Sequence, residues 1–482
     1  MTSENLIKAR QYEKEHQLPT EKRPKFHFSS PIGWINDPNG FSWFDGKAHL
    51  FAQYYPFDNI WGPMHWTHQT TEDFIHWNQE EAALAPDEPY DIMGCFSGSA
   101  IEDDDRHVLI YTGVSKDGDQ EYQQQCIAIG DGKDYVKIDS NPVIPTALIP
   151  EGFSKKDFRD PKIWKENGRY YTVCGSRNEK DWGQAIVFSS GNLKDWKFES
   201  VLADSKGTFG QMWECPDFFE LDGTPILIFS PQDMEAEGLE YHGGHNSVWI
   251  TGPYSDHHFD DYEHHQLDYG LDFYAPQTML MPDGRRILIA WMASWDNPIF
   301  KKDFEFAGQM TFPREISYEN GKLIQRPVRE IEQARKDAVI LDNVTLNGVF
   351  RNEKISGRCN ELIIRFKDTK DLSEFILKAA KDQGGHYDSL FTWNVNRKLV
   401  EFDRTRSGIT SDANAIRKAK APEDGIRELR ILIDRFSIEI FINDGEIVMS
   451  SAITSPDLAD QIELEVIGRA KADIEFYTID AD

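Results

Sequence analysis

The 482-residue sequence predicts an all-β fold, a five-bladed β-propeller followed by a C-terminal β-sandwich, and three observations lead there. Short alternating or β-branched apolar runs punctuated by Gly, Asn and Asp recur along the chain, and helical periodicity is scarce after the first 20 residues. Five hairpin signals form a series with turns at Asp45, Asp105, Asn167, Asp222 and Asp283, spaced 60, 62, 55 and 61 residues apart. The series then stops after Arg326-Pro327. A near-constant period of that length holds four short strands and their loops, the unit of a radial array.

The elements follow in order. Residues 1–24 are polar and read as an N-terminal extension, and residues 25–325 hold the five repeats. TTEDFIHW at 70–77 and SSGNLKDW at 189–196 share a small polar turn, an apolar residue and a Trp at equal spacing, which predicts equivalent positions two blades apart. PVREIEQARKDAVIL predicts a linker helix over 326–339, with Ile331 and Ala334 on its apolar side. From 340 to 482 the runs ELIIRF, EFILKAA, LVEFDR, ELRILIDRFSIEIF and IELEVIG are closely spaced strands suited to a two-sheet sandwich.

Composition narrows the function. A formal charge of −30 repels phosphate backbones and anionic membrane surfaces, so nucleic acid is excluded as a partner class. No apolar run approaches the roughly 20 residues of a membrane span, and the N-terminus has no apolar core of a secretory signal; a cytoplasmic protein with no membrane partner is expected. Five scattered cysteines, Cys95, Cys126, Cys174, Cys215 and Cys359, without a C-x-x-C pair, predict thiols. The histidines at 257, 258, 264 and 265 lack metal-ligand spacing and read as a solvated loop, so neither metal nor cofactor is expected.

Stepping back six to eight residues from each turn gives Asp37, Ser97, Asp160, Glu214 and Gln277. Equal offsets in a radial array mean one place in space, so these side chains are expected to converge on one mouth of the channel. Three acids gathered there repel one another and need a task. Cleavage of a glycosidic bond supplies one: a carboxylate at the anomeric carbon, an acid at the departing oxygen, and a third group on the sugar hydroxyls. Trp34, Asn36, Gln53, Trp61, Phe96 and Arg159 add flat rings and directional hydrogen-bonding groups for a sugar.

Four motifs in order, GWINDPNG at 33–40, FSGSA at 96–100, FRDPK at 158–162 and WECPD at 213–217, with IEIFINDG at 438–445, resemble those of glycoside hydrolase family 32, the invertase and sucrose-6-phosphate hydrolase family. The resemblance implies a propeller followed by a sandwich, with Asp37 as nucleophile, Glu214 as general acid/base and Asp160 as transition-state stabiliser. It implies that Asn36, Gln53, Trp61, Phe96, Ser97 and Arg159 line a fructose pocket and that Trp295 or Trp291 is a further sugar contact. The segment YHGGHNS at 241–247 departs from the family pattern. The expected function is a retaining β-fructofuranosidase acting on sucrose, sucrose 6-phosphate or short fructo-oligosaccharides, small carbohydrates. An acid-triad hydrolase of arabinan or xylan, a fructan-binding protein without catalysis, and a fructosyl transferase are the alternatives. Trp213 and the neighbouring acids are expected to favour a protonated Glu214, and backbone and Asn36 donors an ionised Asp37.

Overall fold

Four of the five turns in the series close two-residue hairpins in which both central residues have positive φ: Asp45-Gly46, Asp104-Asp105, Asn167-Gly168 and Asp222-Gly223. This is the twist that matches flanking antiparallel strands, and Asp, Asn and Gly tolerate it best. In the fifth, Gly284 takes the positive φ within a longer loop between Leu280 and Arg286. In the computed structural model, which describes residues 3–297, 299, 306–409 and 413–481, each hairpin joins the inner two strands of a blade.

Blade I runs outward through Gly33–Phe44, Lys47–Tyr55, His65–Thr71 and Asn78–Leu84. The inner strands of blades II to V are Gly94–Asp103, Phe153–Glu166, Met212–Leu221 and Tyr274–Leu280. Apolar faces of adjacent blades pack on each other, as Phe51, Trp66, Leu109 and Tyr111 do between I and II, and Val187, Trp213 and Phe229 between III and IV. The ring closes without a covalent link. Between the second and third strands of blade V the chain crosses to blade I, where Phe306–Ala307 pairs in parallel with Gly33 and Trp34 and the Met310 amide donates to Phe28 O. Gly308 permits the approach: a Cβ there would sit 2.3 Å from Ile35 O.

The two Trp-turn segments are equivalent. Phe74 and Leu193 both take left-handed φ, 62° and 66°, after turns in which the Thr71 and Ser190 hydroxyls accept backbone N–H bonds. At the N-terminus, Glu4–His16 is a helix capped by Ser3, and its Leu6 and Ala9 are buried where Arg10 Nε donates to Ala82 O of blade I's outer strand.

The linker is shorter than expected over 326–339. Only Arg329–Ala334 is helical, as a 3-10 turn, because Arg326 and Pro327 complete the outer strand of blade V and Arg335–Phe350 is already a strand. Pairing of Arg335 with Ile479, from the far end of the chain, draws these residues into the sheet, a long-range effect that local periodicity does not carry. The C-terminal strands form a sandwich-like sheet whose two leaves share long members. Asn360–Lys381 pairs with Glu428–Asp434 through its first half and with Asp388–Asn394 through its second, bending at bulges between Phe366 and Glu374.

Candidate active site

All five inner strands break register at the same height, around Asp37-Pro38, Ser97-Gly98, Asp160-Pro161, Cys215-Pro216 and Ala275-Pro276. A bulge inserts a residue and re-aims side chains, and proline fits there because it has no N–H to leave unpaired. Asp160, Cys215 and Ala275 take positive φ of 62°, 49° and 51°. The structural equivalents are therefore Asp37, Ser97, Asp160, Cys215 and Ala275. Counting back from the turns lands one residue early in blade IV, at Glu214, and two late in blade V, at Gln277, because the hairpin arms differ in length.

That correction separates two rings of side chains. In the first, ligand atoms of Asp37, Asp160 and Cys215 lie within 4.8 Å of one another. The second, one residue back along each strand, is Asn36, Phe96, Arg159, Glu214 and Tyr274. Gln277 belongs to neither: its Oε1 accepts from Phe41 N at 2.8 Å and its Nε2 donates to Gly98 O at 3.0 Å, tying blade V to blades I and II.

Asp37 Oδ2 accepts from Gln53 Nε2 at 3.0 Å and Ser97 Oγ at 2.5 Å, and the Cys215 thiol is 3.6 Å away; Gln53 also bonds Ser97. Asp37 Oδ1, Asn36 Nδ2, Asn39 Nδ2 and Gln53 Oε1 are buried without hydrogen-bond partners among the described residues. They form an acceptor and donor set fitted to hydroxyl groups. Asp160 Oδ2 accepts from Cys215 N at 2.9 Å, and Asp160 N donates to Thr112 Oγ1 at 3.0 Å. Glu214 is held from three sides: Arg159 Nε donates to Oε1 at 3.0 Å, while Gln232 Nε2 and Tyr274 Oη donate to Oε2 at 2.7 and 2.6 Å. Asp157 and Gln123 position the Arg159 guanidinium from behind.

Burial raises Asp37 above the usual carboxylate range, with Glu214 adding like-charge repulsion against the Ser97 and Cys215 donors. Burial also pushes Asp160 up to about 7; Arg159 opposes the shift, and Glu214 and Asp37 add to it. Cys215 is driven well above its ordinary value by burial among three acids, so it stays a neutral thiol. Trp213 does not face Glu214. It is fully buried, stacked on Phe229 at 3.9 Å with Nε1 donating to Phe209 O, because alternate residues of a strand face opposite sides.

Aromatic rings stand on two sides of this net. Trp61, 46% exposed, meets Phe96 edge to face at 5.8 Å. Trp295, 37% exposed, stacks on Trp34 at 6.1 Å, and Trp34 Nε1 donates to Asn36 Oδ1 at 2.8 Å. Trp291 is 2% exposed beneath them, so Trp295 is the ring presented to solvent. The histidines of 257–265 turn to separate partners, among them Tyr254, Val201 O and Tyr241. The sequence reading missed Cys215, Gln232 and Tyr274. The recurring X-Pro step pointed to Cys215 and Tyr274; Gln232 lies on the second strand, with no local signal.

Residues 27–327 match the Glycosyl hydrolases family 32 N-terminal domain and residues 330–480 the Glycosyl hydrolases family 32 C terminal. The chain belongs to glycosyl hydrolase family 32. It is a glycoside hydrolase. Among its family 32 relatives, a sucrose-6-phosphate hydrolase of Escherichia coli is 39% identical over 438 residues, 89% of each chain. Another from Zymomonas mobilis is 36% identical over 98% of this chain and 94% of its own length. The solved structure of the Bombyx mori GH32 beta-fructofuranosidase BmSUC1, as a mutant in complex with sucrose, superposes with a TM-score of 0.86 at 32% identity, covering 100% of this chain and 99% of that one. The sucrose-6-phosphate hydrolase of Lactobacillus gasseri gives a TM-score of 0.86 at 26% identity over 100% and 97%. No described helix of this family 32 chain is long and apolar enough to cross a membrane.

Proposed function

We propose that this family 32 hydrolase is a retaining β-fructofuranosidase that releases terminal fructosyl units from sucrose, sucrose 6-phosphate and short fructo-oligosaccharides inside the cell. The observation that carries the reading is the meeting of Asp37, Asp160 and Glu214, from three blades, near enough for the Glu214 charge to act on both aspartates, each with its own set of hydrogen-bond donors. The sucrose complex of the Bombyx mori relative and the names of the bacterial relatives supply the sugar.

In this mechanism Asp37 attacks C2 of the fructofuranosyl ring, with its Oδ2 fixed by Gln53 and Ser97. Asp160, anchored by the Cys215 amide, holds ring hydroxyls as positive charge builds at C2. Glu214, set between Arg159, Gln232 and Tyr274, gives a proton to the leaving oxygen and then takes one from the water that frees fructose. Asp37 and Asp160 are both raised by burial and by the negative charge of Glu214 beside them, which favours their neutral forms over those of exposed carboxylates. Trp61 and Trp295 cover apolar sugar faces.

Sucrose hydrolysis by Asp37→Asn tests the roles: the variant folds and its kcat/KM falls by about 10⁴-fold or more. Substantial turnover would remove Asp37 as nucleophile. Proton NMR of the first fructose released reads the stereochemistry, and inversion at C2 would overturn the covalent intermediate.

A further inference from the structure

Beyond Glu214 one loop of blade IV runs from the ring of Tyr274 to a cavity that it shares with Arg417 of the C-terminal sheet. The loop joins Thr224–Gln232 to Val248–Thr251 and is pinned by paired Met234–Gly244 backbone bonds and by Asn246 Nδ2 on His242 O. His245 lies at its inner end. Its ring is 5.7 Å from that of Tyr274, whose hydroxyl bonds Glu214, and its amide donates to Asp296 Oδ2 at 3.0 Å. Gly244 is required for that contact, since a Cβ would meet the same oxygen at 1.9 Å. At the outer end, His242 and Gly243 line a cavity of about 270 Å³ with Arg417, which comes from strand Ile416–Lys420. From His242 to His245 is three residue steps, at most about 11 Å, the scale of one hexose phosphate.

Arg417 lies near Asp272 and Asp296 but within ion-pair distance of no acid among the described residues. Its Nε is buried without a hydrogen-bond partner among them. The nearby charges are already committed. Asp272 pairs with Arg404, Asp268 with Arg314, Asp296 takes the His245 amide and the Ser294 hydroxyl, Glu240 accepts from Tyr269 and Gln266, and Lys418 pairs with Glu401. Arg417 is half-buried, and leaving its buried Nε–H without an acceptor costs free energy that an anion accepting from it recovers. On the imidazole of His245, burial is outweighed by Asp296, Glu214 and Asp233, which favour its cationic form.

We propose that Arg417, with His245 and His242 along the approach, is the specificity subsite for a phosphate carried by the leaving sugar, so that a phosphorylated disaccharide is preferred over its neutral counterpart. The inference rests on the fructosidase reading above and deepens it, because the C-terminal sheet then contributes a residue to substrate selection. It also reconciles a phosphorylated substrate with a chain of net charge −30, since recognition is local.

The test is the ratio of kcat/KM for sucrose 6-phosphate to that for sucrose, in the parent enzyme and in Arg417→Gln and Arg417→Lys. The parent ratio is expected above one. Arg417→Gln lowers it by about 10- to 100-fold through KM, leaves sucrose within about twofold, and Arg417→Lys restores part of the loss. Calorimetry with glucose 6-phosphate, which needs no turnover, is expected to show binding to the parent and none to Arg417→Gln. A parent ratio of one or less, an unchanged ratio in Arg417→Gln, an equal loss on both substrates, or undiminished glucose 6-phosphate binding by the variant overturns the proposal. Failure of the parent to cleave either disaccharide would instead strike the fructosidase reading, and the calorimetry would still decide this one.

Discussion

Two regions of the molecule bury carboxylates, and they treat them in opposite ways. Where the C-terminal sheet meets the propeller, His27 lies between Asp434 and Glu439 at 2.8 and 2.9 Å, and Arg314 bridges Glu439 and Asp268 at 2.6 and 3.0 Å. Backbone amides of Lys25, Phe26 and Phe312 complete the acceptors. There, despite burial, Asp434 and Glu439 are held below the usual carboxylate range, and His27, which burial alone would lower, is raised to about 9. At the propeller mouth, Asp37 and Asp160 are as deeply buried and move upward, since Arg159 is one cation among three acids. Asp268 and Asp272 are intermediate: each has an arginine, yet burial still raises them. The number of cations and amides facing each acid, not depth, separates a region that holds domains together from one that is kept reactive at a cost in stability.

The contrast is sharpest at Asp160. Asp160→Asn should reduce kcat/KM on sucrose by about 10³-fold or more, as loss of a transition-state contact does, while making the protein more stable at neutral pH. The sign follows from the shift: with a folded value of about 7 against 3.8 unfolded, the native state holds the proton more tightly, so stability is lost as pH rises from about 4 to 7. The variant escapes that loss, and a Tm below the parent's at pH 8 would contradict the comparison. Next in size, Arg314→Ala leaves Asp268 and Glu439 buried and unpaired and should cost about 3–5 kcal/mol in urea unfolding. A third test turns on pH. His27 is raised from 6.5 to about 9, so its contribution, roughly 3 kcal/mol at about 1.4 per unit, is complete below about 6.5 and fades as pH climbs through about 9. Denaturation at pH 6 and 9.5 should show that slope in the parent and its loss in His27→Gln. Smallest is Trp61→Ala, whose half-exposed ring should raise KM for sucrose by a few-fold, about 1 kcal/mol, with Tm unchanged.

Much of this was legible before any coordinates. The Asp-Gly and Asn-Gly hairpins declare themselves because a two-residue turn with positive φ accepts few residue types, and the same rule locates Asp37 and Asp160 within their blades. Glu214 was found although it is not the true equivalent of those acids: Cys215 is, and the bulge that separates the two is invisible to counting from a turn. Gln277 was misplaced for the same reason, and Tyr274, which touches Glu214, was passed over. Trp213 was expected beside the acid by adjacency alone, whereas the strand turns it into the core.

By itself the order of residues determined the repeat, the hairpins and the acids to be gathered, since turn chemistry and alternation act over a few neighbours. Only the tertiary structure decided which donors face each acid, how the bulges aim the two rings, that residues 335–339 join a strand from the chain's far end, and that Arg417, its Nε without a partner among the described residues, shares a cavity with His242. Those facts depend on segments hundreds of residues apart meeting through burial and long-range pairing, for which no local pattern stands as a sign.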